Sequence, residues 1–332
     1  MKPLLTVEDL KKHYPIKLGG MFSRAATLKA VDGVSFAIAA GKTLGLVGES
    51  GCGKSTTARL VLGVTPSSSG KIEFEGKRVE ASFDRSWRAQ RRRMQMVYQD
   101  PLGALDRRLS VGVQVLEPLV IHGIGDEKER LQRTRELFSA VGLRSDLFDR
   151  YPHELSGGQR QRVVIARALI LEPSLIVCDE PISALDVSVA AQVINLLADI
   201  QNEFNVSYLF ISHDLKVVRQ LSHEVAVMYL GKIVERGDPE LIFGAPMHPY
   251  TQALVSAIPT PRRRNRTRIL LSGDPPNPMD IPNGCPFHPR CAQAMDTCQQ
   301  IRPRLGPVSD GRLVSCHLVP TTAAEVEETA GV

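Results

Sequence analysis

Gly48-Glu49-Ser50-Gly51-Cys52-Gly53-Lys54-Ser55 is the stretch on which the fold turns. It fits the phosphate-binding pattern G-x-x-x-x-G-K-[ST], and its setting is the one that pattern requires. Thr43-Leu44-Gly45-Leu46-Val47 before it is an apolar run of buried-strand type, and apolar residues recur at helical spacing after it, at Ala58, Val61 and Leu62. Strand, glycine turn and helix in that order let backbone N–H groups converge on an anion at a helix N-terminus, where the macrodipole already favours negative charge. Lys54 then reaches the β- and γ-phosphates, and Ser55 ligates Mg²⁺. Gly48, Glu49, Ser50, Gly51, Cys52, Gly53 and Thr56 complete the expected nucleotide-binding set, with Cys52 a small filler whose amide does the binding. A glycine turn that binds nothing has no need of the lysine, the serine and both flanking elements.

Leu175-Ile176-Val177-Cys178-Asp179-Glu180 is a second apolar run, ending in two acids. A strand of this kind delivers carboxylates to the carboxyl edge of a parallel sheet, with Asp179 suited to the Mg²⁺ shell and Glu180 to a water. Alone it would be weak, since many strands end in acidic turns; joined to residues 48 to 55 it becomes specific. Leu155-Ser156-Gly157-Gly158-Gln159 precedes a helical pattern and presents another phosphate-ready N-terminus, although Ser156 as an ordinary N-cap is the plain alternative. His213 ends the run Tyr208 to Ser212; taken alone it would be read as a structural histidine.

The apolar runs Leu175 to Cys178, Tyr208 to Ile211 and Val225 to Tyr229 alternate with helical stretches such as Val189 to Phe204. That alternation predicts an α/β fold with a mainly parallel sheet covered on both faces. Residues 103 to 170 read as a largely helical insertion, amphipathic over Glu127 to Val141. Beyond residue 240 prolines crowd the chain (Pro246, Pro249, Pro259, Pro261, Pro275, Pro276, Pro278, Pro282), which predicts a boundary or wrapping segment and the start of a small separate module over 241–318. Residues 319–332 read as a flexible tail. No internal repeat is present.

The 332 residues are 43% apolar and 23% charged with a net charge of +5, an ordinary globular balance that excludes a disordered or collagenous chain. The basic clusters Arg88 to Arg93 and Arg262 to Arg268 are read as solvated faces rather than a nucleic-acid surface. No apolar stretch approaches the ~20 residues that span a bilayer, and the N-terminus lacks the apolar core of a secretion signal. The expectation is a cytosolic chain that meets a membrane only from its side. Cys285, Cys291, Cys298 and Cys316 form a late group spaced C-x5-C-x6-C-x17-C. In the cytosol such a group points to metal binding or to reduced thiols rather than disulfides. Four thiolates can enclose Zn²⁺ or a [4Fe–4S] cluster, with His288 and His317 near enough in sequence to replace a ligand. The spacing lacks the C-x2-C knuckles of zinc ribbons.

Six motifs in order over about residues 1 to 240 resemble the ATP-binding-cassette family of P-loop NTPases: the loop at 48–55, Gln99 in Tyr98-Gln99-Asp100-Pro101, Leu155 to Gln159, Asp179-Glu180, Ser183-Ala184-Leu185-Asp186 and Ser212-His213-Asp214. The resemblance implies a parallel core with an antiparallel β part and a helical subdomain at about 103–170. It implies two cassettes packed head to tail, with ATP between the loop of one and the signature, Leu155 to Gln159, of the other. Glu180 then corresponds to the base that orients or deprotonates water, His213 to the γ-phosphate switch, and Gln99 to a link between Mg²⁺, water and partner. Asp186 corresponds to an inter-subunit contact, and Tyr14 to the aromatic that stacks on adenine, against the plain alternative of a surface tyrosine. Mg²⁺ would be held through Ser55, Gln99 and Asp179.

Met247-His248-Pro249-Tyr250-Thr251-Gln252-Ala253-Leu254, with Asp186-Val187-Ser188-Val189 and Gly284-Cys285-Pro286, is similar to ATPase subunits of dipeptide, oligopeptide and nickel importers, nearest the F-type subunit. That resemblance covers about residues 1 to 318. It implies peptide uptake at the cytoplasmic face of the inner membrane, a homologous D-type ATPase, two membrane permease subunits and, indirectly, a substrate receptor. A nickel or other small-solute importer is the neighbouring alternative, and a nucleic-acid-directed cassette ATPase the distant one. For the four cysteines it favours [4Fe–4S] over Zn²⁺, with a structural role.

Overall fold

A computed structural model describes residues 2–17, 25–258 and 268–322. Residues 18–24, the basic run before Arg268 and the tail beyond Thr322 lie outside the described residues.

Strands β1 (Leu5–Lys17), β2 (Ala25–Ile38), β4 (Ser69–Phe74) and β5 (Lys77–Arg78) form one antiparallel sheet in the order β2-β1-β4-β5. The second sheet has eight strands: β3 (Thr43–Val47), β6 (Met94–Val97), β7 (Leu175–Asp179), β8 (Ser207–Ile211), β9 (Glu224–Tyr229), β10 (Lys232–Gly237), β11 (Gly306–Pro307) and β12 (Leu313–Val314). Its order is β11-β12-β10-β9-β3-β8-β7-β6. The stretch from β9 through β3, β8 and β7 to β6 is parallel. The parallel strands alternate with period two between two cores. Leu44, Leu46, Leu175, Val177, Leu209 and Ile211 face the antiparallel sheet. Ile176, Cys178, Tyr208, Phe210, Val225 and Val227 face the helices. Both faces are buried, which is why these strands read as unbroken apolar runs.

Helices α1 (Lys54–Val61), α2 (Arg85–Arg93), α3 (Val111–Ile121), α4 (Glu127–Ala140), α5 (Gly157–Leu169), α6 (Val187–Phe204), α7 (Leu215–Leu221), α8 (Pro239–Gly244), α9 (Pro249–Ser256) and α10 (Asp296–Gln300) complete the structure. Helices α3, α4 and α5 fill the expected helical region. None of the described helices is long and apolar enough to cross a membrane.

The segment past residue 240 packs against the cassette. Strand β12 pairs with β10 (Glu235 opposite Val314), so the chain's end extends the cassette's own sheet. Tyr229 at the end of β9 packs at 4.7 Å from Tyr250 and edge-on to Phe287 at 5.3 Å, each such pair adding about 1 kcal/mol beyond its buried area. The buried Glu235 carboxylate accepts the backbone N–H groups of Met247 and His248 and pairs with the buried Arg312. Prolines break regular elements here, but buried aromatics and an internal ion pair hold the segment to the sheet.

His248, 1% exposed, accepts the Tyr250 N–H at Nδ1, and burial pushes its pKa down to about 3 from the ordinary 6.5. A neutral imidazole in the fold and a protonatable one in the unfolded chain give stability that is complete above pH 6.5. That stability is lost as pH falls from there toward 3, at a slope approaching ~1.4 kcal/mol per pH unit. Thermal melts at pH ~7.5 and ~4 are expected to show a smaller acid-induced drop in Tm for His248→Gln than for the natural chain; equal drops would remove His248 as the titrating group.

Candidate active site

The parallel register fixes where the site's groups meet. Leu46 on β3 lies beside Ile211 on β8, and Ile211 lies beside Asp179 on β7, so three strands end together. From those ends leave the loop at 48–55, the pair Asp179-Glu180 and the turn carrying His213.

The loop's conformation requires glycine. Gly53 has φ +109°, and a Cβ there would run into the Ala30 carbonyl oxygen; Gly48, with φ +153°, is likewise blocked by the Met228 carbonyl. Gly53 is also the N-cap of α1 and offers no side-chain cap, which leaves the first N–H groups of the helix to a ligand. Lys54 is buried, and its ammonium donates to the carbonyls of Gly48 (2.7 Å) and Glu49 (2.9 Å), curling the loop around it. Cys52 is buried, its thiol pKa raised by burial, in keeping with a filler. Ser50, Gly51 and Ser55 are exposed at the loop's mouth, with Thr56 half-buried behind them.

Ser55 Oγ donates to Asp179 Oδ1 at 3.0 Å. A hydroxyl and a carboxylate side by side at the strand ends are hard oxygen donors of the kind Mg²⁺ takes. Burial, aided by the neighbouring Glu180 charge, raises the Asp179 pKa, so a cation there would be matched by an under-compensated carboxylate. Glu180 stands in the left-handed region at φ +49°, a strained setting for a side chain with a Cβ. Its Oε2 accepts the Gln99 amide N–H at 3.0 Å and lies 3.2 Å from His213 Nδ1. Gln99 and His213, far apart in sequence, thus converge on the Glu180 carboxylate.

Ser156 does cap α5: it accepts the Gln159 N–H at 3.3 Å, while Gln159 Oε1 accepts the Ser156 N–H at 2.9 Å. This capping box orders the turn while Leu155 anchors it in the core and Ser156 and Gly157 stay exposed. Gly158 packs on Val189, in the first turn of α6. Asp186 caps α6 by accepting the Val189 N–H, and this bond holds its pKa low; its neighbour Val187 is 90% exposed. Signature and Asp186 therefore share an outward-facing surface. Tyr14 lies half-buried on β1 opposite Leu28, two residues from the Ala30 that abuts Gly53, so β-pairing removes the sequence gap between it and the loop. The Lys12 ammonium overlies its ring at 4.8 Å.

Two residues of the site escaped the sequence reading. Tyr250 Oη accepts the Glu49 N–H at 2.8 Å, and Arg290 grips the Glu49 carboxylate with two bonds of 2.7 and 3.0 Å. Both come from the C-terminal extension, and no local pattern announces contacts across 201 and 241 residues. Glu49, expected among the nucleotide ligands, has its N–H and its carboxylate committed to the extension.

Comparison with known proteins agrees with this geometry. The model described as ABC transporter matches residues 31–183, and the model for the C-terminal region of oligopeptide/dipeptide transporters matches residues 234–298. The probable peptide ABC transporter ATP-binding protein y4tS of Sinorhizobium fredii is 48% identical over 98% of this chain and 93% of its own length. The dipeptide transport ATP-binding protein DppF of Escherichia coli is 47% identical over 96% of this chain and 95% of its own. The chain belongs to the ABC transporter family, in its oligopeptide/dipeptide branch. A solved ATP-binding cassette, MJ0796, in a dimeric post-hydrolysis state bound to ADP and Pi, superimposes with TM-score 0.63 at 25% identity, covering 71% of this chain and 98% of that one. This ABC subunit is an ATPase.

The four cysteines gather at the extension: the Cys285 N–H donates to the Cys298 carbonyl at 2.8 Å. The Cys316 pKa is raised to about 11, first by burial and then by the other three thiols. Among the described residues, no three His, Cys, Asp or Glu side chains are arranged to hold a metal ion. His288 Nδ1 and His317 Nε2 are each bonded to a backbone carbonyl, of Cys285 and Ile301, and are not turned to the thiols through those atoms.

Gly53→Ala is expected to lower ATP affinity of the full chain more than about tenfold while its helical circular dichroism persists. Titration calorimetry returning the natural affinity would mean that the loop's conformation does not govern binding.

Proposed function

We propose that this chain is the ATP-hydrolysing subunit of a peptide importer, and that the convergence of Gln99 and His213 on Glu180 at the mouth of the 48–55 loop is its hydrolytic centre. The loop amides and Lys54 would bind the phosphates, and Ser55, Asp179 and the Gln99 amide oxygen would hold Mg²⁺. When bound, Mg²⁺ supplies charge neutralisation at the phosphoryl oxygens. Glu180, fixed by Gln99 and His213, aims and accepts a proton from the attacking water, and His213 senses the γ-phosphate. Phosphoryl transfer asks mainly for positioning and electrostatic stabilisation, which buried Lys54 and a pre-oriented carboxylate provide.

Ser156, Gly157 and Asp186 are exposed on the surface of the single cassette. This supports a second cassette, a homologous D-type ATPase, completing each site from the other side; the solved MJ0796 cassette is dimeric. A cavity of about 290 Å³ between Tyr98, the exposed Ile121 and Arg167 suits a cytoplasmic helix of a permease subunit, and Gln99 beside Tyr98 would carry its movement to Glu180. The chain would then work at the cytoplasmic face of the membrane, peripherally, with two permease subunits and, through them, a substrate receptor. The names of its relatives and the description of the matching C-terminal family support dipeptides or oligopeptides as cargo. The thiols of Cys285, Cys291, Cys298 and Cys316 would hold a [4Fe–4S] cluster, with Zn²⁺ the alternative, and its role would be to pin the extension.

The test is ATP hydrolysis by the assembled complex with and without peptide-loaded receptor. Stimulation by peptide is expected, and stimulation by DNA or RNA instead would overturn the reading. Glu180→Gln should bind ATP with near-natural affinity and lose more than about 99% of turnover; residual hydrolysis near the natural rate would remove Glu180 from its role. Ser156→Arg should leave ATP binding to the isolated chain unchanged and cripple the assembled complex. Loss of binding in the isolated chain would place the signature at the chain's own nucleotide.

A further inference from the structure

Arg290 lies in the extension, directly before Cys291, in a short 3-10 turn, His288–Arg290. Its side chain is only 6% exposed, yet both terminal nitrogens reach across to Glu49, the second residue of the phosphate loop. A guanidinium fork on a carboxylate fixes both distance and orientation, and a nearly buried pair of this kind is costly to break from one side. Tyr250, 0% exposed, meets the same residue from α9 through the Glu49 N–H. The Glu49 carbonyl in turn accepts the Lys54 ammonium at 2.9 Å. Extension, Glu49 and the phosphate-binding lysine form one chain of contacts.

A carboxylate at this point has an evident cost. An uncompensated negative charge in the phosphate loop would repel a triphosphate, and in a partly buried site that repulsion is weakly screened. Arg290 cancels it, and its fork turns the carboxylate toward the extension. The guanidinium that faces the Glu49 carboxylate thus comes from outside residues 1 to 240.

We infer that Arg290 and Tyr250 are positioning residues of the nucleotide site, and that the C-terminal extension acts in ATP binding by neutralising Glu49 and fixing the loop carbonyl that holds Lys54. This rests on the reading of residues 48–55 as the ATP site. Arg290 touches no phosphate under this account; it acts through Glu49.

The experiment is titration of full-length chain with MgATP. Arg290→Gln, close in size but neutral, is expected to weaken ATP binding about tenfold. Arg290→Lys, which keeps the charge, should stay within about threefold of the natural chain. Adding Glu49→Gln to Arg290→Gln removes the uncompensated carboxylate and should return the affinity to within about threefold. This rescue separates the proposal from mere packing, since a loosened extension would not be repaired by neutralising Glu49. If Arg290→Gln alone does not fold, the double variant, in which neither charge is stranded, still decides. Natural affinity for Arg290→Gln, equal damage by Lys and Gln, or a double variant as weak as about tenfold would each overturn the inference. Lys54→Ala serves as the control: if it leaves ATP binding intact, the reading of the loop has failed instead.

Discussion

The parallel pairing of β3 with β8 and of β8 with β7 is the constraint on which the rest depends. Leu46, Ile211 and Asp179 stand side by side across three strands, so the loop, the acidic pair and the His213 turn leave the sheet at one edge. Alternate side chains on each strand are buried in two different cores, and a slip of one residue would exchange the two faces. The register is therefore held by burial along the length of every strand, and the site inherits that rigidity. The groups at the edge need only short turns to meet: Ser55 reaches Asp179, while Gln99 and His213 reach Glu180.

The strain is placed where the chemistry is proposed. Glu180 holds a left-handed backbone and Gly53 a conformation no other residue could share without striking Ala30. The neighbouring strands over-determine both positions, which is how a fold tolerates such residues. Polar contacts tie the extension to the cassette at two points: Glu235 accepts two backbone N–H groups and pairs with Arg312, and Glu49 accepts Arg290 at its carboxylate while donating its N–H to Tyr250 Oη.

Much of this was legible from local pattern. The strand before Gly48, the helix after Gly53 and the strand ending in Asp179-Glu180 were readable because burial on both faces produces continuous apolar runs, and the loop chemistry is confined to eight consecutive residues. The antiparallel sheet was not readable from periodicity. Strand β1 is interrupted by register shifts between Val7 and Leu10 and again between Lys12 and His13, and Asp9 has positive φ, so its alternation is broken. Prolines crowd the chain after residue 240, but a proline count carries no information on what that chain packs against. Tyr250 and Arg290 are joined to Glu49 only by tertiary folding, and the fork of Arg290 looks, in sequence, like any basic residue between cysteines.

The most direct measurement is the structure of the assembled complex carrying Glu180→Gln, trapped with MgATP. The account predicts the γ-phosphate in the 48–55 loop beside position 180, His213 in contact with it, Ser156 of this chain facing the nucleotide of a second cassette, and Arg290 still on Glu49. A nucleotide held away from residue 180, or closed over by this chain's own signature, would contradict it.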